Sequence, residues 1–175
     1  GNTGVITRTW VATDDCGNTT SADQTITVID TTPPELVLPV SVTIECTADE
    51  SSAGNGQATG SDTCGDVVIT ESDAVVENCG NTKVITRTWV ATDDCLNTTS
   101  GDQTITVIDT TPPELVLPAS VTIECTADES SATNGQATGS DTCGDVVITE
   151  SDEVVENCGN TRIITRTWTA TDDCD

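Results

Sequence analysis

The sequence predicts an all-β protein built from tandem immunoglobulin-like Greek-key β-sandwiches, arranged end to end and carrying disulfides within each domain. Three observations favour this fold class. Threonine, valine and isoleucine, which prefer strands, fill the regular stretches. No window places apolar residues at positions i, i+3, i+4 and i+7 over three turns, so almost no helix is expected. A repeat of 79 residues, marked by Trp10, Trp89 and Trp168, divides the chain.

The repeat boundary is set by the segment Asp-Thr-Thr-Pro-Pro, which occurs at 30–34 and 109–113. Paired prolines cannot continue a strand ladder and they stiffen the chain, which suits a short linker. The predicted domains are therefore the C-terminal part of a preceding repeat (1–30), a complete repeat (31–109) and a repeat lacking its last strand (110–175). Residues 4–82 and 83–161 differ at only six of 79 positions. We interpret the chain as a window on a longer array.

Within the complete repeat, turn signals separate short runs of β-formers. Seven strands are predicted, at 35–38, 41–46, 57–61, 67–71, 75–77, 82–92 and 102–108. This number and spacing are typical of a Greek-key sandwich. On the sixth strand, Ile85, Arg87, Trp89 and Ala91 share one face, because alternate side chains of a strand point the same way.

Arg87 is the unusual member of that face. If Trp89 fills the core, Arg87 points into it too, so we expect its stem to lie along the indole and its guanidinium to reach an acid near the rim. A ligand-binding role for Arg87 is the alternative interpretation.

Four motifs carry a family resemblance: Asp-Thr-Thr-Pro-Pro at 109–113, Val-Thr-Ile-Glu-Cys at 121–125, Ser-Asp-Thr-Cys-Gly at 140–144 and Thr-Trp-Val-Ala-Thr-Asp-Asp-Cys at 88–95. In order and spacing they resemble the hyalin-repeat (HYR) family, particularly the HYR-like tandem repeats of bacterial (Bacteroidota-type) cell-surface and secreted proteins. The resemblance implies an extracellular β-sandwich module of stalks and adhesion proteins, without enzymatic activity. HYR-like repeats often carry a further cysteine early in the last strand. Here that region reads Ser-Gly-Asp-Gln, so the family's disulfide pattern does not transfer whole.

The nine cysteines indicate disulfides in a thin-cored secreted domain, and the lack of histidine and of Cys-x-x-Cys pairs argues against zinc. Greek-key geometry is expected to place the ends of the second and sixth strands at one pole. The predicted bonds are Cys46–Cys95, Cys64–Cys79, Cys125–Cys174 and Cys143–Cys158, with Cys16 unpaired. The alternative pairs Cys16 with Cys46 across a repeat boundary.

Thirty acidic residues against five basic ones give a net charge of -25, which argues against nucleic acid and anionic membrane surfaces as partners. Acidic loops at the junction between repeats suit Ca²⁺, which takes 6–8 oxygen ligands. The candidate ligands are Asp30, Asp49, Glu50, Asp93, Asp94, Asp109, Asp128, Glu129, Asp172 and Asp173. The alternative is a solvated loop whose aspartates only make turns. No other cofactor is expected.

Four positions carry short glycosylation signals. Asn18 and Asn97 begin Asn-Thr-Thr sequons, and Thr31 and Thr110 lie in a context that resembles bacterial O-glycosylation. The high β-propensity of threonine explains its abundance equally well.

The chain has no histidine and its cysteines are expected in bridges, so no nucleophile and base are visible and no catalytic residue is predicted. We expect a secreted or cell-surface structural protein forming a stalk, fibre or filament shaft. Its expected partners are neighbouring repeats or identical chains. The alternative is an adhesion module that binds glycan or protein through its loops. A further possibility is that residues 17–30 supply a strand to another chain, although a continuous polypeptide is the simpler interpretation.

Overall fold

The computed structural model describes residues 3–174 of the chain. It is mostly β, with 53% strand and 5% helix, which confirms the predicted predominance of strands. None of the helices among these residues is long and apolar enough to cross a membrane. The elements are β1 Gly4–Thr13, β2 Thr19–Val28, β3 Glu35–Val37, β4 Val42–Glu45, α1 Ser52–Asn55, β5 Thr59–Ser61, β6 Val67–Glu77, β7 Lys83–Asp93, β8 Thr98–Ile108, β9 Glu114–Val116, α2 Ser131–Asn134, β10 Thr138–Ser140, β11 Val146–Glu156 and β12 Arg162–Asp172.

The described strands form five sheets. Four of them are two-stranded antiparallel pairs, β1–β2, β3–β5, β9–β10 and β11–β12. The fifth has four strands in the order β4-β8-β7-β6.

By contacts the described chain divides into two compact units whose limits differ from the repeat boundaries. The first comprises 3–42, 50–74 and 86–105, and the second comprises 43–49, 75–85 and 106–174.

The strand β8 begins at Thr98 rather than at 102, and two of the predicted strands are a single strand in the structure. The runs predicted at 67–71 and 75–77 form one strand, β6. Asp73 lies in the middle of that strand and pairs with Arg87 of β7. In the next repeat, the corresponding Asp152 and Arg166 are direct cross-strand partners on β11 and β12. Opposite charges facing each other across a ladder favour continued pairing, so the acidic Ser-Asp segment does not turn.

The core of the middle repeat lies on one face of β7 and β8. Ile85 and Trp89 of β7 are buried together with Ile105 and Val107 of β8. Arg87 is also buried, at 4% exposure, so the predicted shared face of β7 is confirmed. Alternation places the remaining residues of β7 on the opposite, less buried face.

The same sequence has a different environment in the β1–β2 hairpin. Trp10 is 60% exposed, whereas its copy Trp89 is 4% exposed. The hairpin is exposed along nearly its whole length and hydrogen-bonds to no other described strand. In contrast, β7 and β8 are flanked by β6 and β4. Burial of this motif therefore depends on the strands on either side of it.

The strand β4 runs parallel to β8. The Thr104 N–H donates to Ser41 Oγ at 3.0 Å, and the Cys46 N–H donates to the Ile108 carbonyl oxygen at 2.9 Å. Both strands therefore advance in the same direction, and β4 ends where β8 ends. The prediction that the second strand ends beside the turn after the sixth strand is wrong, because β8 carries the chain away from that turn.

Candidate functional site

Two disulfides join successive repeats. Cys46 is bonded to Cys143, with their Cα atoms 5.8 Å apart, and Cys79 is bonded to Cys174, with a Cα separation of 5.2 Å. Each bond links a cysteine of the repeat 31–109 to one of the repeat 110–175. The five other cysteines are unpaired: Cys16, Cys64, Cys95, Cys125 and Cys158.

This connectivity corrects the pairings expected within each repeat, which were Cys46–Cys95, Cys64–Cys79, Cys125–Cys174 and Cys143–Cys158. The alternative Cys16–Cys46 bond is also absent among the described residues, since Cys46 is bonded to Cys143. Strand length is the physical reason. Cys64 precedes β6 and Cys79 follows it, so an eleven-residue strand separates them by roughly 35 Å. The length of β8 separates Cys95 from Cys46 in the same way.

The Cys79–Cys174 bond lies beside a tight turn. Gly80, at φ +53°, donates its N–H to Asp173 Oδ2 at 3.0 Å. The Asn81 N–H donates to the carbonyl oxygen of Cys143. A Cβ at Gly80 would lie 2.5 Å from that same oxygen, so a side chain does not fit here. The turn therefore requires glycine both for its φ and for its close approach to the Cys143 backbone.

In the Cys46–Cys143 bond, Cys143 is buried and Cys46 is half-buried. Cys143 is 1% exposed, and its N–H donates to Asp141 Oδ1 at 2.7 Å. Donor atoms of Asp109, Asp141 and Cys143 lie within 4.8 Å of one another. Because the sulfur of Cys143 is in a disulfide, it offers no thiolate to a metal ion. Asp141 therefore holds the turn at Cys143, and the cluster is not a thiolate metal site.

A similar arrangement surrounds two unpaired cysteines. Donor atoms of Asp30, Asp93 and Cys95 lie within 4.8 Å of one another, as do those of Asp30, Asp62 and Cys64. The N–H groups of Cys64 and Cys95 donate to Asp62 and Asp93, each at 2.7 Å. Both thiols are thus held next to Asp30 by aspartate turns.

The carboxylates affect ionisation at this position. Partial burial raises the pKa of the Cys95 thiol, and the carboxylates of Asp30 and Asp93 raise it further. Burial also opposes ionisation of Asp93, but hydrogen bonds from Asn97 and Cys95 outweigh it and hold the pKa of Asp93 below its usual value. Cys95 is therefore a weakly acidic thiol that stays mostly protonated near neutral pH.

Of the ten predicted calcium ligands, the structure brings Asp30 and Asp93 together, with Cys95 as the third donor. Two carboxylates and a thiol fall short of the 6–8 oxygens that Ca²⁺ prefers. Of the remaining eight, Asp94 follows Asp93 at the same turn and Asp109 lies with Asp141 and Cys143. The other six lie elsewhere in the chain: Asp49, Glu50, Asp128, Glu129, Asp172 and Asp173.

Several of these eight residues make structural contacts. Asp128 accepts hydrogen bonds from the Thr133 hydroxyl at 2.6 Å and from the Ser130 N–H at 2.9 Å, which lower its pKa. Glu129 forms an ion pair with Arg162 at 2.7 Å. Asp172 accepts the N–H of Cys174 at 2.8 Å. Asp109 accepts the N–H of Thr111 at 2.9 Å, and Asp94 accepts that of Asp66 at 3.4 Å.

Three of the predicted glycosylation residues use the relevant side-chain atom in a hydrogen bond. Asn97 Nδ2 donates to Asp93 Oδ2 at 2.8 Å, and Asn18 Nδ2 donates to Asp14 Oδ2 at the same distance. The Thr110 hydroxyl donates to Glu45 Oε1 at 2.6 Å. A glycan on Thr110 would replace the hydrogen that this bond uses, whereas each asparagine Nδ2 keeps one hydrogen after glycosylation. The fourth residue, Thr31, is exposed.

Arg87 forms the structural contact expected of it. Its Nε and Nη2 donate to the two carboxylate oxygens of Asp73, each at 2.8 Å, and Nη2 also donates to the Glu50 carbonyl oxygen at 3.0 Å. Hydrogen bonding to Asp73 raises the pKa of Arg87, while that from Arg87 lowers the pKa of Asp73. The carboxylate of Asp73 thus neutralises the positive charge that Arg87 brings to the core face of β7.

A groove of about 600 Å³ lies in the repeat 110–175, lined mainly by 117–125 and 160–164. In the repeat 31–109, the equivalent positions enclose β8. There Gln103 is fully buried and donates to the carbonyl oxygens of Val40 and Asn55, at 2.9 and 2.8 Å. Sequence reasoning missed both the groove and Gln103, because a polar residue in a Thr-rich strand gives no sign of burial.

Comparison with protein families, with curated proteins and with solved structures gives no match for this chain.

Proposed function

We propose that this chain is a segment of a non-catalytic extracellular protein whose tandem immunoglobulin-like, HYR-like repeats form a stalk, fibre or filament shaft. The observation that carries the proposal is the pair of bonds Cys46–Cys143 and Cys79–Cys174. A disulfide within a repeat stabilises that repeat alone. Bonds between consecutive repeats also carry tension from one repeat to the next, which a load-bearing shaft needs.

The extracellular location is supported by the disulfides, since these persist in oxidising compartments. The net charge of -25 keeps such arrays dispersed through mutual repulsion. The six differences between residues 4–82 and 83–161 support a spacer, because a spacer requires the same of every repeat. An adhesion module is expected to have one repeat that differs from its neighbours.

Stretching single molecules between handles at their two ends tests the proposal. In the oxidised chain, tension passes from Cys46 directly to Cys143, so the residues between them do not extend. Reduction should release this segment of 97 residues and lengthen the contour by roughly 300 Å. Equal contour lengths with and without reductant would contradict a load-bearing role for the bonds.

The adhesion alternative is tested on the same chain. A glycan array and a pull-down are expected to show no specific, saturable binding. Saturable binding that is lost when one loop is substituted would overturn the shaft proposal.

The proposal includes a calcium ion bound by Asp30 and Asp93, with water completing its coordination. Such an ion would stiffen the array of repeats. EDTA should then lower the melting temperature of the wild type and leave that of Asp30→Asn unchanged. If EDTA shifts neither protein, calcium is excluded and the disulfide shaft stands without it.

A further inference from the structure

Three buried polar atoms on the core face of β7 and β8 have no hydrogen-bond partner among the described residues. They are Nη1 of Arg87, Nε1 of Trp89 and Oε1 of Gln103. Arg87 and Trp89 are each 4% exposed, and Gln103 is fully buried. Such groups bind water in the unfolded chain, so burial without a partner opposes folding. Native cores seldom contain several of these atoms side by side, and their presence here calls for a physical explanation.

The three side chains are neighbours. The strands β7 and β8 pair as their copies β1 and β2 do, since the same cross-strand bond from a hydroxyl to a carboxylate forms in both pairs. In β1–β2, Arg8 lies directly opposite Gln24. Arg87 therefore lies directly opposite Gln103, and Trp89 lies one diagonal step from Gln103 on the same face. Long side chains reach each other at both of these spacings.

The guanidinium of Arg87 is turned so that its unpaired nitrogen faces β8. Its Nε and Nη2 donate to the two carboxylate oxygens of Asp73 on β6. Because the guanidinium is planar, Nη1 lies on the edge away from Asp73. The strands β6 and β8 lie on opposite sides of β7. The N–H groups of Nη1 are therefore on the side of Gln103.

Gln103 contributes an acceptor to this place. Its Nε2 uses both hydrogens, donating to the carbonyl oxygens of Val40 and Asn55 at 2.9 and 2.8 Å. A flipped amide would set Oε1 against two carbonyl oxygens, which cannot donate. The amide orientation is thus fixed by its surroundings. The core contains two unpaired donors, from Arg87 and Trp89, and one unpaired acceptor, from Gln103.

A ligand that fits these atoms has to accept and to donate hydrogen bonds. An anion would accept from the N–H groups but would face Oε1 of Gln103, and the charge of Arg87 is already balanced by Asp73. A cation would face the N–H groups of Arg87 and Trp89. Water can do both, and a buried water typically makes about three hydrogen bonds to groups that are otherwise unpaired.

A direct bond between Trp89 and Gln103 is the competing arrangement. Their copies Trp10 and Gln24 form it in the hairpin β1–β2, with 3.4 Å between Nε1 and Oε1. In the core, the amide of Gln103 is held by its two carbonyl partners. A direct bond would also leave Nη1 of Arg87 without a partner, whereas one water pairs all three atoms.

We propose that a long-lived water molecule is bound in the core of the repeat 31–109 by Nη1 of Arg87, Nε1 of Trp89 and Oε1 of Gln103. The water accepts from both N–H groups and donates to the amide oxygen. A chain of hydrogen bonds then crosses the core from Asp73 on β6, through Arg87 and Gln103, to the two backbone carbonyls that Gln103 binds. This water site goes beyond the shaft function and does not depend on it.

A crystal structure of the oxidised wild-type chain, at a resolution that shows ordered water, tests the site directly. A density peak should lie within roughly 2.7–3.2 Å of Nη1, Nε1 and Oε1. Soaking the crystals in bromide should give no anomalous signal at this peak. A direct bond between Trp89 and Gln103 with no density between them would overturn the proposal. An anomalous bromide signal would also overturn it, because the ligand would then be an anion.

Nuclear magnetic resonance tests the residence of the water in solution. The wild type has three indole N–H signals, of which Trp10→Phe and Trp168→Phe each remove one, so the remaining signal belongs to Trp89. The Trp89 N–H should show cross-peaks to water of opposite sign in the NOESY and ROESY spectra, as a water held longer than the tumbling time gives. The exposed Trp10 is the internal control, and its cross-peaks should have the same sign in both. No cross-peak at Trp89, or cross-peaks of equal sign, would overturn the proposal.

Gln103→Met separates the bound water from a relay through the arginine protons, which exchange with solvent. Methionine keeps most of the volume of glutamine and lacks the amide oxygen, so the opposite-sign cross-peaks of Trp89 should be lost. Their persistence in a folded variant would mean that Arg87 relays the signal, and would overturn the solution evidence for the water. If Gln103→Met fails to fold, the crystal structure and the wild-type spectra decide. Neither outcome bears on the shaft function, which the stretching experiment tests through the disulfides.

Discussion

Arg87 shows that the surroundings of a residue decide its role. On the sequence alone, an arginine on the core face of a strand suggests either a binding site or an internal ion pair. Arg87 has the ion pair, with Asp73. Its copy Arg8 lies in the exposed hairpin, where its guanidinium is 5.9 Å from the ring centroid of Trp10. Strand periodicity correctly predicted that the Arg87 side chain lies on the core face. It did not predict that the acid paired with it is Asp73, which lies on a different strand.

The ion pair should contribute measurably to stability. Arg87→Ala leaves Asp73 without its partner and opens space beside Trp89, so we expect a loss of about 2–4 kcal/mol in the free energy of unfolding. The value is below that for a fully enclosed pair because the Asp73 side chain is 35% exposed. Arg8→Ala is the matched control and should change stability by less than about 0.5 kcal/mol. Urea unfolding of both variants checks this, and equal losses would contradict it.

The same pair predicts acid sensitivity. Arg87 lowers the pKa of Asp73 from its ordinary value of 3.8. A carboxyl whose pKa is depressed by folding stabilises the native state above its unfolded pKa, and this contribution is lost as pH falls through the folded pKa. Stability should therefore be full above about pH 4 and decline below it. Asp73→Asn should flatten part of this decline in a series of urea melts. An unchanged slope would exclude Asp73 as a source of the acid sensitivity.

The strands show where pattern reasoning succeeds and where it stops. Alternation of apolar residues located β7 and its buried face, because the period of two reports directly on burial. It did not reveal that β4 runs parallel to β8, since alternation carries no information about a strand's partner or direction. The division of β6 into two was wrong for a related reason. A Ser-Asp pair resembles a turn unless its cross-strand arginine is known.

The turn between β7 and β8 contains a strained residue. Leu96 has φ +69° and is 81% exposed, while its copy Gly17 adopts φ +84°. A left-handed conformation is costly for leucine and not for glycine. Leu96→Gly should therefore raise the free energy of unfolding by roughly 0.5–1 kcal/mol. Leu96→Ala, which keeps the strain, is the control in the same urea titration and should bring no gain. Destabilisation by glycine would show that the leucine side chain itself contributes.

Copies of one strand should respond differently to the same substitution. Ile105 of β8 is fully buried, so Ile105→Ala should cost about 2–4 kcal/mol through lost burial and the remaining cavity. Its copy Ile26 in β2 has more contact with solvent, so Ile26→Ala should cost less than about 1 kcal/mol in the isolated chain. Denaturant unfolding of the monomer compares them. Similar costs at both positions would mean that the hairpin is buried in solution.

For the whole molecule, near-identical repeats limit what can be predicted. Cys64 and Cys143 share their local sequence, so the sequence did not indicate whether Cys46 bonds within its own repeat or to the next. Loop-closure entropy does not decide either, since it changes slowly with loop length. The lengths of β6 and β8 decide it, and these became evident only from the paired strands.

The cross-repeat bonds should stabilise the molecule strongly. The segments that they close span 97 and 95 residues, for which loop-closure entropy gives about 4–5 kcal/mol per bond. C46S/C143S should lower the free energy of unfolding by about 4 kcal/mol under non-reducing conditions. C16S, which removes a free exposed thiol, is the control and should change nothing. The stability of the two variants should converge once reductant breaks both bonds of C16S and the one remaining bond of C46S/C143S, to within the contribution of the substituted residues. A small loss in C46S/C143S would contradict this, because it would mean that the segments around positions 46 and 143 stay close together in the unfolded chain without the bond.

The two bonded segments overlap, because the second begins at Cys79 before the first ends at Cys143. A single break in the backbone anywhere between Cys46 and Cys174 consequently leaves both fragments attached through at least one disulfide. Proteolytic nicking, which divides an ordinary string of domains in two, would leave this chain in one covalent piece. If the pattern recurs in every repeat, separating the array requires breaking the backbone and the bonds that bridge it at the same place. Such redundancy gives an exposed strand-rich protein a tolerance to damage that its thin cores alone would not provide.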